Sequence, residues 1–297
     1  MVAHITRYLM RPPATVIAEI GCNHKGDLQI AEQLGAMAKL TGADVAKFQK
    51  RCNRELLTPE EFAAPHPNPM HAYGSTYGEH REFLEFTIDQ HAHLQRHCRH
   101  VGIDYSTSVW DCTSAREIVG LDPRFIKIPS ACNTDLELLR ILRDDYRGDI
   151  HVSLGMTTRA EERALIDFFA DHARKRLVIY ACTSGYPVPF DQICLLELTR
   201  LRETYGDRVK AIGFSGHHLG IAVDTAAFVL GAEWIERHFT LDRTWKGTDH
   251  AASLEPEGLR RICRDMKAVA KALSYKPEEL LPIEQPQRSK LKRKIAR

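Results

Sequence analysis

Residues 16–20 read Val-Ile-Ala-Glu-Ile, and residues 27–42 read Asp-Leu-Gln-Ile-Ala-Glu-Gln-Leu-Gly-Ala-Met-Ala-Lys-Leu-Thr-Gly. The first is a short, mostly β-branched run of strand length. The second is a punctuated helix: Asp27 offers an N-cap oxygen, Leu28–Leu40 carries the helix, and Gly42 lies just past its end. Together they make one βα unit, and the unit recurs. Further strands are predicted at Asp44–Phe48, Ile103–Thr107, Phe125–Ile128, Ile150–Leu154, Leu177–Ala181, Ala211–Phe214 and Trp234–Phe239. Helical stretches fall between or after them at Glu82–His100, Thr113–Val119, Asp135–Arg143, Arg159–Ala173, Asp191–Tyr205, Ile221–Leu230 and Glu257–Leu273. The strand starts are spaced by roughly 31 residues, which suits a strand, a helix and two short loops. Eight such units in about 250 residues predict a (β/α)8 TIM barrel, an α/β fold. An open doubly wound sheet is disfavoured because no G-x-G-x-x-G follows the first strand.

The composition narrows the function classes. The chain has 297 residues, 43% hydrophobic and 27% charged, as soluble globular proteins do. Lys and Arg total 41 against 39 Asp and Glu, a net charge of +2, which argues against nucleic acid as the main partner. No stretch approaches the ~18 apolar residues of a membrane span. Met1 to Pro13 holds no apolar run of secretory type. Eight cysteines, at 22, 52, 98, 112, 132, 182, 194 and 263, form no CxxC pair. They read as reduced thiols and small core residues in a cytoplasmic protein. One domain is expected, a catalytic barrel over residues 1–274. Residues 275–297 then form a basic stem holding Pro277, Pro282, Pro286, Lys290, Lys292, Arg293 and Lys294, with no second domain. The proline-rich stretch Lys50–Gly78 reads as a long loop, either a functional lid or disordered.

In a (β/α)8 barrel the active site sits at the C-terminal strand ends. Every strand delivers something polar there: Glu19; Lys47 and Gln49; Ser106 and Thr107; Lys127 and Ser130; Ser153; Thr183, Ser184 and Tyr186; Ser215, His217 and His218; Glu236 and His238. Two lysines among hydroxyls make a cage for phosphate or carboxylate oxygens. His217 and His238, on neighbouring strands, can share one divalent metal with positions open for water and substrate. Glu19 reads as an acid/base or as a buried structural carboxylate. His66, His71, His91, His93, His97 and His100 read as surface or loop residues. The set points to a small phosphorylated anion and a metal-polarised partner.

At this point a family resemblance is legible. Ile17-Ala-Glu-Ile-Gly21 with Asn23-His24, Lys47-Phe-Gln49, Lys127-Ile-Pro-Ser130, Cys182-Thr-Ser-Gly-Tyr-Pro187, Gly213-Phe-Ser-Gly-His217, Glu236-Arg-His-Phe-Thr-Leu-Asp242, Gly247-Thr-Asp-His250 and Ser253-Leu-Glu-Pro256 resemble the sialic acid synthase family, in order, from Val16 to Pro256. The resemblance implies a transferase that condenses phosphoenolpyruvate with an open-chain N-acylmannosamine-type aldehyde. Its products would be a nine-carbon 2-keto acid and phosphate, and its cofactor a divalent metal, manganese or magnesium. It implies Glu19, Lys47 and Lys127 as catalytic. Lys47, Thr107, Lys127, Ser130, Ser153 and Ser215 would hold phosphoenolpyruvate. Gln49, Ser184, Tyr186 and Asp249 would hold the sugar, His217 and His238 the metal. It also implies a homodimer.

The sequence departs from the family pattern in places. Ala131-Cys132 follows the Lys-x-x-Ser motif where an acidic residue is common, Gly216 stands where many bacterial members have Asp, and Ser184 where some have Asn. The antifreeze-like domain that many members carry beyond the barrel is not expected here. These departures bear on the sugar more than on the reaction. Mannose 6-phosphate, N-acetylmannosamine 6-phosphate or a diacetamido hexose are alternative acceptors. A non-catalytic metabolite-binding barrel is the reading outside enzymes.

Overall fold

The computed structural model describes residues 12–276 and 279–293, apart from the side chains of 171–173. Met1–Arg11, Pro277 and Lys294–Arg297, and with them parts of the expected barrel domain and basic stem, lie outside the described residues. Eight parallel strands close a barrel in chain order: β1 (Thr15–Gly21), β2 (Val45–Lys50), β3 (Asp104–Val109), β4 (Phe125–Ile128), β5 (Asp149–Ser153), β6 (Leu177–Cys182), β7 (Ala211–Gly216) and β8 (Trp234–His238). The predicted (β/α)8 architecture is the one observed. Among the described residues no helix is long and apolar enough to cross a membrane.

The first helix, α1 (Leu28–Thr41), is built as its sequence dictates. Asp27 accepts the amide N–H groups of Gln29 and Ile30, and Gly42 closes the helix at φ 94°, a left-handed conformation that glycine adopts without a Cβ penalty. After β2 come α2 (Asn53–Leu56), α3 (Pro59–Ala63) and α4 (Tyr77–Phe83), then α5 (Ile88–Val101). The outer layer continues with α6 (Cys112–Leu121), α7 (Leu136–Asp145), α8 (Arg159–Phe168), α9 (Ala170–Arg176), α10 (Glu197–Tyr205), α11 (Ala222–Val229) and α12 (Pro256–Ala272), and α13 (Gln285–Leu291) lies in the tail with every residue exposed.

Three expectations are corrected. The single helix expected at Glu82–His100 is two, because Thr87 opens a new one: its hydroxyl accepts the Gln90 amide and the Gln90 side chain caps Thr87 in return. The stretch Asp191–Tyr205 opens in a 3-10 turn (Phe190–Gln192) and is α-helical only from Glu197, since Cys194 sits at φ 53° and cannot continue a right-handed helix. The loop at Lys50–Gly78 is neither disordered nor structureless. Lys50 ends β2, and two capping boxes, Thr58 with Glu61 and Thr76 with Glu79, start α3 and α4.

The apolar core is split by the sheet. The larger part lies between strands and helices and includes Val16, Ala18, Leu34, Phe48, Ile126, Val152, Ile179 and Ile235. The smaller part fills the barrel: Ile17, Val45, Phe125, Val178, Tyr180, Ala211 and Trp234. That split is strand alternation, successive side chains pointing to opposite faces. Gly213 is required inside, because a Cβ there would lie 2.5 Å from the Tyr180 ring. Continuing the inward set by two residues brings β1, β2, β4 and β8 to charged side chains.

Candidate active site

Ile17, Val45, Phe125 and Trp234 belong to the barrel filling, and two residues further on stand Glu19, Lys47, Lys127 and Glu236. All four charged side chains are buried, at 5% exposure or less. They form a chain of alternating sign. Lys47 pairs with Glu19 and lies 3.7 Å from Glu236, which in turn pairs with Lys127. The Lys47 ammonium donates to Ser108 Oγ at 2.6 Å, and Ser215 Oγ donates to Glu236 Oε1 at 3.1 Å. Gln49 Nε2 donates to Glu19 Oε1 at 3.2 Å. Lys127 Nζ sits 4.4 Å above the Tyr180 ring, which ties this layer to the apolar one below.

The two carboxyl groups are driven apart. Burial raises the Glu19 pKa above its usual value, against the pull of Lys47. Burial also acts on Glu236, but Lys127 and Lys47 together outweigh it and hold that carboxyl at about 2. Burial thus favours the neutral form of Glu19, whereas the two lysines hold Glu236 as the anion. Burial lowers the Lys127 pKa.

The two histidines at the ends of β7 and β8 meet. The ring centroids of His217 and His238 are 5.5 Å apart, and Tyr186 packs 4.5 Å from His217. His217 Nδ1 lies 3.1 Å from the Thr183 carbonyl, to which it can only donate, leaving Nε2 with a free lone pair. Burial and the neighbouring His238 take the His217 pKa down to about 3, so the ring is neutral at ordinary pH. His238 Nδ1 is buried without a hydrogen-bond partner. Two neighbouring imidazoles, one of them with an orphaned nitrogen, fit a divalent ion. Among the described residues no group of three or more His, Cys, Asp or Glu side chains is arranged to hold a metal ion.

These residues line one cavity of about 380 Å³. Of the expected site residues it brings together Glu19, Lys47, Gln49, Lys127, Ser130, Ser153, Ser184, Tyr186, Ser215, His217, His238 and Asp249. Thr107 is the exception and is corrected. It is fully buried but does not border the cavity, and its neighbour Ser108 takes the place. The expected strand ended at Thr107, whereas β3 runs to Val109, and alternation from Ser106 carries the inward face to Ser108. His91 is also corrected: it is buried on α5 and shares a 2.8 Å hydrogen bond with the Tyr105 hydroxyl, whereas His66 lies in a loop, as expected, but is buried against the cavity. The cysteines are free thiols, but Cys98, Cys132 and Cys263 alone are fully buried, while Cys22 and Cys182 border the cavity.

Sequence reading assigned no role to several further lining residues: Glu236, Arg51, Arg81, His80 and Trp110. Glu236 was visible as a polar residue on β8. The other four come from the α2–α4 segment and the loop after β3, which carry no strand periodicity to aim them.

Comparison with known proteins places this geometry. A family model described as the NeuB family matches residues 35–278. The N-acetylneuraminate-9-phosphate synthase of Homo sapiens is 36% identical over 283 residues, covering 95% of this chain and 77% of that protein. The N,N'-diacetyllegionaminic acid synthase of Campylobacter jejuni is 31% identical over 260 residues, covering 87% and 77%. The crystal structure of N-acetylneuraminic acid (sialic acid) synthetase from Leptospira borgpetersenii, in complex with citrate, superposes with a TM-score of 0.78 at 25% identity, covering 95% of this chain and 93% of that one. With matches spanning the barrel and its polar mouth, the chain belongs to the NeuB family and is a synthase.

Proposed function

We propose that this chain condenses phosphoenolpyruvate with the aldehyde of an N-acylmannosamine-type sugar, giving a nonulosonic acid and phosphate. The observation that carries the reading is the buried Glu19–Lys47–Glu236–Lys127 chain beside the His217–His238 pair in one cavity.

Lys47 and Lys127, with Ser108, Ser130, Ser153 and Ser215, supply donors for the carboxylate and phosphate oxygens of phosphoenolpyruvate. Glu19 and Glu236 hold the two lysine side chains in place before the substrate arrives. Gln49, Ser184, Tyr186 and Asp249 offer hydrogen bonds to sugar hydroxyl and amide groups. A divalent ion held by His217 and His238, manganese or magnesium, would polarise the aldehyde carbonyl as a Lewis acid. The methylene carbon of phosphoenolpyruvate (C3) attacks the aldehyde carbon, a C–C bond forms, and the aldehyde oxygen takes a proton. Positive charge develops at C2, where water adds. Glu19, with its pKa raised, is placed to take the proton that this water loses. The C2–O bond to phosphorus then breaks, phosphate leaves against the two lysines, and C2 becomes the ketone. The sum is phosphoenolpyruvate plus aldehyde plus water going to 2-keto acid plus phosphate.

The test follows both products. Phosphoenolpyruvate labelled with 18O in the bridging position is mixed with N-acetylmannosamine, or its 6-phosphate, and manganese. Equal amounts of nonulosonate and phosphate are expected, the label in the phosphate, with turnover abolished by a chelator and restored by metal. Label retained in the keto acid, or no turnover with any of the acceptors named above, overturns the reading.

A further inference from the structure

Behind the barrel wall lies a buried charged group that the proposed reaction does not use. On β8, Arg237 stands between Glu236 and His238, so alternation turns its side chain away from the cavity, toward α11. There it forms an ion pair with Asp224, the arginine 1% and the aspartate 0% exposed. The same guanidinium reaches the loop after β7. Nη1 donates to the Gly220 carbonyl and to His218 Nε2, both at 3.0 Å, and Nη2 donates to the His218 carbonyl at 2.6 Å.

As a source of stability this group is poorly built. Among the described residues, Arg237 Nε, Asp224 Oδ1 and His218 Nδ1 are all buried without a hydrogen-bond partner. A buried ion pair that leaves polar atoms orphaned gains little over apolar packing of the same volume, since desolvation cancels most of the attraction. What the arrangement specifies is geometry: a planar fork that grips two carbonyls and a ring nitrogen fixes the loop at three points. The backbone is shaped to receive it. A Cβ at Gly216 would lie 2.9 Å from His218 Cε1, so the glycine is what lets the His218 ring fold behind β7.

The residue gripped from behind is the neighbour of one that faces the cavity. Gly216 opposite Arg237 is the last pair of the β7–β8 register, and His217 is the next residue. Beyond that pair, His217 has the Thr183 carbonyl on its ring and the Val188 amide on its own carbonyl, both from the loop after β6. Those contacts tie His217 toward β6, whereas Arg237 ties the following residue to β8, the strand that carries His238. We propose, resting on the reading of His217 and His238 as the metal pair of the synthase, that Arg237 is a positioning residue: acting through His218 from the far side of the sheet, it sets the separation of the two histidines and so the affinity for a divalent ion.

The experiment reads manganese binding from the electron paramagnetic resonance signal of the free ion, and phosphoenolpyruvate binding by calorimetry without metal. Arg237→Met combined with Asp224→Leu replaces the ion pair by apolar side chains of similar size, a change that buried pairs often tolerate. This double variant is expected to melt close to the wild type and to bind phosphoenolpyruvate as the wild type does. Its manganese affinity should fall about 10–100-fold, the range for losing a group that orients a metal-binding imidazole. Arg237→Lys keeps the charge opposite Asp224 and loses the fork, so its manganese affinity should lie between the two. Unchanged manganese affinity in the double variant, or a loss matched by an equal loss for phosphoenolpyruvate, overturns the inference and leaves the synthase reading intact. A wild type that binds no manganese, or binding that survives H217A/H238A, removes the histidine pair as a metal site and the inference with it. Should the double variant fail to fold, Arg237→Lys decides: manganese affinity equal to the wild type's overturns the inference, and a several-fold loss with phosphoenolpyruvate binding retained upholds it.

Discussion

The inside of this barrel holds two layers that differ by two residues along each strand. Below lie Phe125, His151 and Trp234, with Phe125 stacked on His151 at 3.9 Å and Trp234 edge-on to both. Above lie Lys127, Ser153 and Glu236. Burial does not distinguish them: Phe125 is 0% exposed and Lys47 1%. They differ in what compensates the burial. The lower layer is closed by ring packing and by the 2.7 Å hydrogen bond between His151 and the Tyr180 hydroxyl. The upper layer is closed by ion pairs that substrates can rearrange. The same strand therefore supplies stability at one position and chemistry two residues later.

The largest expected effect falls in the upper layer. Glu19→Gln keeps the shape and leaves Lys47 its contacts with Ser108 and Glu236. Phosphate release should drop by about 10³ in kcat, within the range for loss of a general acid/base, while phosphoenolpyruvate still binds and the melting temperature moves little. Near-normal turnover would remove Glu19 from the chemistry.

The lower layer should respond the opposite way. Trp234→Ala is expected to cost about 3–5 kcal/mol of stability, as large core truncations do, read as a shifted urea midpoint. The kcat per folded molecule should stay within a few-fold. A loss of kcat matching that of Glu19→Gln would break the division between the layers.

Acid separates the two carboxyl groups of the upper layer. Glu236 has a folded pKa of about 2 against an ordinary 4.5. The unfolded chain therefore binds its proton first as pH falls, so this group's stabilisation is present above 4.5 and fades toward 2. Between pH 5 and pH 3 the loss is about 2 kcal/mol. Glu236→Gln, though less stable throughout, should lack this increment when urea midpoints are followed across that interval. Parallel slopes in variant and wild type would show that Glu236 is not the anion held by Lys47 and Lys127. Glu19, shifted upward, contributes with the opposite sign: its stabilisation is full below 4.5 and is lost as pH rises through its folded pKa.

What the sequence revealed follows the same division. Strand positions were legible because a period of two and a fixed spacing aim the side chains, so Glu19, Lys47, Lys127, Ser215 and the two histidines could be named in advance. The segment between β2 and α5 was not, because α2, α3 and α4 are too short for a helical period to point anywhere. Their orientation comes from tertiary contacts such as Arg81 with Asn53 and Gly78 against Phe62. His66 illustrates the cost: in a proline-rich stretch it reads as a loop residue, and in the fold it borders the cavity.

The smallest effect is the sharpest test of strand alternation. Thr107 and Ser108 are neighbours, both buried, both hydroxyls, and pointed to opposite faces of β3. Ser108 receives the Lys47 ammonium at 2.6 Å, whereas the Thr107 hydroxyl meets the Ser108 carbonyl at 3.5 Å and the Tyr105 side chain, away from the cavity. Ser108→Ala removes a hydrogen bond to a charged group and should raise the KM for phosphoenolpyruvate about 10-fold, the equivalent of roughly 1.4 kcal/mol. Thr107→Val preserves volume behind the barrel wall and should leave that KM within about two-fold. The reverse outcome would mean that β3 presents its other face to the substrate, and a one-residue register of this kind cannot be half right: it moves every side chain of the strand at once.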